Sequence, residues 1–78
     1  NYNLQIMVIR KVTIGNDYKN GMNYHVGQSV LNDSHKINCI RYEGADLLIY
    51  IENADREIMA WKSYSPSVPK SIEFNINY

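Results

Sequence analysis

Apolar and polar residues alternate along most of the chain, with the period of two that is typical of half-buried β-strands. One face of the first stretch, 3–14, is apolar at every position except Arg10. Met7 and Ile9 make the middle of this stretch apolar on both faces, which indicates a central strand. The last stretch, 71–78, alternates strictly and predicts a final strand.

Three further strands are predicted between clusters of turn-forming residues. They cover 22–31, 35–43 and 47–52, and the turns around them lie at 15–21, 32–34 and 43–46. Gly27 marks a bulge or a close approach of another backbone within its strand. Further along, the apolar phase slips between Cys39 and Ile40, as a β-bulge would produce.

The segment 53–64, NADREIMAWKSY, fits two structures. Asn53 could cap a helix with Asp55 and Glu57 in its first turn. Alternatively the chain turns at 53–56 and returns as a strand. The preceding strands and the aromatic residues on mixed faces favour the hairpin, which we therefore predict. The proline-containing stretch 65–69 is then a loop that ends this strand.

Short strands separated by turns at spacings of about 8–12 residues are typical of all-β folds. We predict a small antiparallel barrel or sandwich of five to six strands, related to the SH3-like barrels. The 78 residues leave no room for a second domain. The whole chain, 1–78, is therefore expected to form a single β domain with a small core.

Eight basic and eight acidic residues give a formal net charge of zero. A neutral chain argues against a general polyanion binder and against a role at the membrane surface. The chain as given shows no apolar run of membrane-spanning length and no signal peptide. Its single cysteine suits a reducing compartment. We therefore expect a cytosolic protein.

The stretch 24–40 contains both histidines, the only cysteine and an aspartate. His25, Asp33, His35 and Cys39 could supply four metal ligands, but their spacing matches no closed zinc motif. Cys39 lies in an apolar run, where a cysteine usually packs as a small core residue. Burial would also keep its thiol from acting as a nucleophile beside a histidine. We therefore expect no metal, no cofactor and no catalysis.

The chain has seven tyrosines, one tryptophan and one phenylalanine. Aromatic side chains in strands can stack on the bases of single-stranded nucleic acid. The same residue types are favoured in β-structure by packing alone and are enriched in protein-binding hot spots. The zero net charge favours a protein surface over nucleic acid. Candidate contact residues, chosen by type so that several are expected to lie in the core, are Tyr24, His25, Arg41, Tyr42, Tyr50, Trp61, Lys62 and Tyr64.

An open sheet of this size cannot hide every strand edge, and an exposed edge pairs readily with another chain. The terminal strands, 3–14 and 71–78, are the candidates. The second of them contains one charged residue and no proline, so little protects it. This predicts either a homo-oligomer or docking on a partner protein.

The stretch GADLLIYIENADREIMAW is similar in flow to one strand pair of the bulb-type mannose-binding lectins. Their sugar motif reads Gln-x-Asp-x-Asn-x-Val-x-Tyr, and its positions fall on Tyr42, Gly44, Asp46, Leu48 and Tyr50. Only the apolar-x-Tyr end of the motif is retained, and the polar ligands are missing. Carbohydrate binding would therefore require another polar pocket beside Tyr50.

The whole chain, especially its C-terminal part REIMAWKSYSPSVPKSIEFNINY, resembles the short β-rich accessory proteins of tailed phages. Frequent Asn, Ile, Lys and Tyr, all encoded by A/T-rich codons, suit an AT-rich bacterium or its phage. Such accessory proteins commonly occupy a host enzyme or a defence complex. The resemblance implies a non-enzymatic protein-binding module that inhibits or modulates a host protein in the host cytosol.

Two alternatives remain open, a carbohydrate-binding module and a β-barrel that binds single-stranded nucleic acid. The second alternative makes a distinct structural prediction. Its phosphate contacts need local positive charge even when the net charge is zero. Clustering of Arg10, Lys11, Arg41 and Lys62 on the aromatic face would therefore favour it.

Overall fold

A computed structural model describes residues 6–15 and 21–77, and the side chains of 8–15 and 21–74. This part of the chain contains seven β-strands and no helix, which confirms the predicted all-β class. The strands are β1 (Ile6–Ile14), β2 (Met22–His25), β3 (Ser29–Val30), β4 (His35–Glu43), β5 (Asp46–Glu52), β6 (Ile58–Tyr64) and β7 (Lys70–Asn77). Positions 3–5 and 78 of the predicted terminal strands, and 16–20 of the first predicted turn, lie outside the described residues.

The seven strands form one antiparallel sheet built around β1. One edge of β1 pairs with β7 along its whole length, and the other edge is shared by β2 and β4. The hairpins β4–β5 and β5–β6 continue the sheet. The 53–64 segment is therefore the predicted hairpin, and β1 is the predicted central strand.

A bend at Gly27 divides the predicted strand 22–31 into β2 and β3. Its φ of 91° lies in the left-handed region that glycine enters most easily. The amide of Val26 donates to the carbonyl of Arg10, and that of Gly27 donates to the carbonyl of Ile37, both at 2.9 Å. The bend thus connects β1 to β4 where these two strands diverge.

One face of the sheet, called here the inner face, carries the hydrophobic core. The buried apolar residues are Ile9, Val12, Tyr24, Val30, Ile37, Ile40, Leu47, Ile49 and Ile51. Irregularities in the pairing at Arg10 and at Asn38 each add one residue to a strand. The extra residue at Asn38 is the predicted phase slip, and it returns Ile37 and Ile40 to the same face.

The sheet does not close into a barrel, because no described residue of β6 pairs with β7 or β2. Side chains cover the open side instead. The ring of Tyr24 on β2 meets the ring of Trp61 on β6 edge to face, with centroids 5.6 Å apart. The antiparallel β fold was therefore predicted correctly, but the strand pairings do not close the sheet into an SH3-like barrel.

Both edges of β1 are paired at Ile9 and over Lys11–Ile14, so the prediction that 3–14 offers an open edge is wrong for these residues. Among the described residues, Ile6–Val8 pair only with β7, which returns to β1 from the far end of the chain. The other predicted edge is confirmed: β7 pairs only with β1 within the described part of the sheet. In the same described part, β6 likewise pairs only with β5, and the short strands β2 and β3 have one partner each, β1 and β4.

Candidate functional site

The eight predicted contact residues do not form one surface. Tyr24 is buried in the core, and Trp61 and Tyr64 are half-buried against it. Arg41 and Tyr50 lie on the opposite, outer face of the sheet, in the register that leaves Ile40 and Ile49 inside. The selection by residue type therefore mixed core residues with surface residues of two faces.

Tyr24, Trp61 and Tyr64 form an aromatic cluster that covers the open side of the sheet. The Tyr24 hydroxyl donates a hydrogen bond to the Met22 sulfur at 3.2 Å. Burial, together with the neighbouring Tyr24 hydroxyl, raises the pKa of Tyr64 above its ordinary value of 10.0. Aromatic rings that are buried and packed against one another in this way stabilise the fold, and they are not free to stack on a ligand.

Lys62 lies on the inner face of β6, next to Trp61. A pairing irregularity opposite Ile49 gives β6 one extra residue there, so Trp61 and Lys62 both lie near the core side. The Lys62 ammonium lies 4.8 Å from the centroid of the Trp61 ring, a cation–π distance. A bulge with an inward-directed lysine is a device that protects a strand edge against pairing. The second half of β6 is therefore protected.

Arg41, Glu43 and Tyr50 make a self-contained polar cluster on the outer face. The Arg41 guanidinium lies 4.4 Å from the centroid of the Tyr50 ring and donates to the Glu43 carboxylate at 2.8 and 2.9 Å. The Tyr50 hydroxyl donates to the same carboxylate oxygen. Hydrogen bonds from Tyr50 first and Arg41 second lower the pKa of Glu43, and the interactions with Glu43 first and Tyr50 second raise the pKa of the Arg41 guanidinium.

The basic residues do not cluster on the aromatic face. Lys11 pairs in register with His25 and with Glu73, and Arg10 is exposed at the β1 irregularity. Arg41 is engaged by Glu43 on the outer face, whereas Lys62 lies on the inner face. The arrangement that would favour a nucleic-acid binder is absent from this part of the chain.

The four residues considered as metal ligands or reactive groups do not converge. His25 is exposed, with Nδ1 3.1 Å from the Val26 carbonyl, and the His35 ring contacts Ser34. Cys39 is half-buried and pairs with Tyr50 on the outer face, so the prediction that it packs in the core is wrong. The bulge at Asn38 shifts the alternation by one residue, so Cys39 lies on the outer face and not in the core. Residues 6–15 and 21–77 contain no group of three or more His, Cys, Asp or Glu placed to hold one ion.

The exposed first half of β6 is the surface feature that the contact set missed. Ile58 and Met59 expose 56% and 55% of their area, and Ala60 is exposed beside them. They lie on an outer strand whose free edge makes no backbone hydrogen bond to any described residue. The sequence contains a sign of this surface. The strand begins with three uncharged residues, Ile58–Ala60, and a proline-containing loop follows it.

The opposite edge, β7, is better protected. Lys70 begins the strand, with its ammonium donating to the carbonyls of Ser65 and Val68 at 3.0 and 2.7 Å. Glu73 adds an exposed negative charge three residues later. Charged residues on an outer strand discourage pairing with another chain. The start of β6 is therefore more accessible than the β7 edge.

No family model, no curated protein and no solved structure matches this chain. No helix of the described residues has the length and apolar character needed to cross a membrane.

Proposed function

We propose that this chain is a non-enzymatic protein-binding module that captures an extended segment of a partner protein along β6. The observation that carries the proposal is the uncharged, exposed stretch Ile58–Ala60 on an unpaired strand edge. Free N–H and C=O groups on such an edge supply the hydrogen bonds for an added strand. Apolar side chains beside them supply contact area.

The register predicts how the added strand is held. Met59 pairs with the core residue Ile51, so it points to the inner face, and Ile58 pairs with Glu52 on the outer face. A partner strand beside them contacts apolar surface on both faces of the sheet. The irregularity at Trp61 limits this contact to the first half of β6. The best partner is a short extended segment with apolar residues on both faces.

The alternatives have less support. Single-stranded nucleic acid needs basic residues beside free aromatic rings, and here the cations are dispersed and the inner rings are occupied. Carbohydrate binding needs a polar pocket beside Tyr50, whose hydroxyl is engaged by Glu43. Protein binding through an edge needs neither feature.

The finer proposal concerns the partner. The resemblance to tailed-phage accessory proteins and the frequent Asn, Ile, Lys and Tyr residues support an inhibitor or modulator of a host enzyme or defence complex, acting in the host cytosol. Such a role requires surface complementarity and no reaction. An edge-capture mechanism fits it, because a small domain can occupy a strand or a loop of a larger enzyme.

The test is an affinity capture with the tagged chain from bacterial lysate, with and without nuclease treatment, read by mass spectrometry. The informative variant is Met59→Lys, which places a charge on the proposed edge. Its matched control is Val8→Lys, an exposed apolar residue, 40%, that lies on β1 and outside the proposed β6 edge.

We expect a stoichiometric protein that survives nuclease treatment and is lost with Met59→Lys but retained with Val8→Lys. Phe74→Lys, on β7, reports on the other edge. Equal capture by the Met59 and Val8 variants would contradict the β6 proposal. Recovery only without nuclease would favour the nucleic-acid alternative.

A further inference from the structure

A polar recess lies at the end of the sheet opposite the β4–β5 turn. It is bounded by the β3–β4 turn (31–34) and the β5–β6 turn (53–57), which lie side by side because Lys36 pairs with Glu52. Its volume is about 460 Å³, within the range of small-molecule sites. The recess contains none of the exposed β6 residues, so it is independent of the proposed protein-binding edge.

Both walls of the recess are fixed by local hydrogen bonds. In the first turn, the backbone amide and the hydroxyl of Ser34 donate to the Leu31 carbonyl at 3.2 and 2.8 Å. In the second, the side-chain oxygen of Asn53 accepts from the amides of Asp55 and Glu57 at 2.9 and 3.0 Å. The Asn53 side-chain amide also donates to the Glu57 carboxylate at 2.8 Å. A recess with fixed walls loses little freedom when a ligand binds.

Four charged side chains line the recess without neutralising one another. They are Asp33, Lys36, Glu52 and Arg56. The pair Arg41–Glu43, elsewhere on the sheet, is the one ion pair within the described residues. Lys36 and Glu52 lie on adjacent strands in register and still form no ion pair. One carboxylate oxygen of Glu52 accepts a hydrogen bond from the Asn38 side-chain amide at 3.3 Å, and its other oxygen and the remaining three charges are available to a ligand.

Two of these residues have a left-handed backbone conformation. The φ angles of Asp33 and Arg56 are 66° and 63°. This conformation is unfavourable for residues with a β-carbon, although aspartate adopts it more readily than arginine. Strain of this kind persists where surrounding structure holds it, and it is concentrated at functional sites. Leu31 and Asn32, with φ angles of 53° and 55°, share this conformation, so all four non-glycine residues with positive φ in the described part of the chain lie in the two turns that bound the recess.

The balance of charge selects the ligand class. Two cations and two carboxylates make the recess neutral overall, so a simple anion meets the carboxylates and a simple cation meets Lys36 and Arg56. A molecule with both charges avoids either repulsion. A carboxylate also matches the planar guanidinium of Arg56. We propose that this recess binds a small aminocarboxylic acid as its zwitterion, with the carboxylate on Lys36 and Arg56 and the ammonium group on Asp33 and Glu52.

The test is a titration of the full chain with 4-aminobutyrate, followed by amide chemical shifts in NMR. Butyrate and butylamine serve as the two single-charge halves of the probe. We expect saturable shifts confined to 31–36 and 52–57, and binding of the zwitterion at least about tenfold tighter than either half. Equal binding of the halves, shifts elsewhere, or no saturation by the zwitterion would overturn the proposal.

Variants separate recognition from folding. Arg56→Gly removes the charge and relieves the left-handed strain, so the domain stays folded, and Glu52→Gln removes one carboxylate. We expect each to weaken 4-aminobutyrate binding by about tenfold. The matched control, Arg41→Gln, removes a guanidinium outside the recess and should leave binding unchanged. An equal loss in the Arg41 variant would show a nonspecific charge effect and contradict the assignment.

Discussion

Replacing one isoleucine of β5 and one of β6 tests the difference between core and free edge. Ile49 is fully buried, whereas Ile58 exposes 56% of its area. The change Ile49→Ala removes buried methyl groups and leaves a cavity, which costs about 2–5 kcal/mol in protein cores. A domain of this length has a total stability of roughly 4–12 kcal/mol, so this variant is severely weakened or unfolded.

Ile58→Ala removes side-chain area that water already reaches. Surface changes usually stay within about 0.5 kcal/mol, and lost β-propensity adds at most about 1 kcal/mol on an edge strand. The two variants should therefore differ by at least about 0.5 kcal/mol. Urea unfolding followed by the fluorescence of Trp61, the single tryptophan, measures both values. A cost above about 2 kcal/mol for Ile58→Ala would refute the reasoning, because Ile58 would then be packed and unavailable to a partner.

Three smaller predictions concern individual groups. Because the folded state raises the pKa of Tyr64, the unfolded chain loses this proton first, and stability should fall as the pH rises above about 10; Tyr64→Phe should reduce that fall in urea titrations. The lowered pKa of Glu43 contributes stability above its unfolded value of 4.5 that is lost as the pH falls through the folded value, and Glu43→Gln should flatten this acid limb. Gly27→Ala, at φ 91° with nothing within 4 Å of the added carbon, should cost about 1 kcal/mol in thermal unfolding through backbone strain alone, and no loss would contradict the bend described above.

The alternation of apolar and polar residues and the positions of turn-forming residues were sufficient to predict the parts of the fold that neighbouring residues determine. The slip of the apolar phase around Asn38 was readable because a bulge changes the alternation itself. The turn at 53–57 was predicted from its composition and from the strand that follows, and the hydrogen bonds of Asn53 account for it. Gly27 was recognised as an irregular position, and its positive φ explains why.

Features that depend on contacts between distant strands could not be predicted from the local sequence. Tyr24 and Tyr42 both belong to apolar alternations, yet 8% of the first and 47% of the second is exposed. The difference depends on the aromatic residues of β6 that reach Tyr24, and the local sequence around either tyrosine does not encode it. The same holds for the strand edges, since β7 covers β1 from the far end of the chain. The two turns that bound the recess are adjacent only because β4 pairs with β5.

The most direct test of the binding function is amide hydrogen exchange on the complex recovered from nuclease-treated lysate, compared with the free chain. Edge capture predicts slower exchange at Ile58–Ala60 in the complex, because an added strand bonds the free backbone groups there. The turns at 31–34 and 53–57 should exchange as before. Protection confined to β7, or no change along β6, would contradict the account.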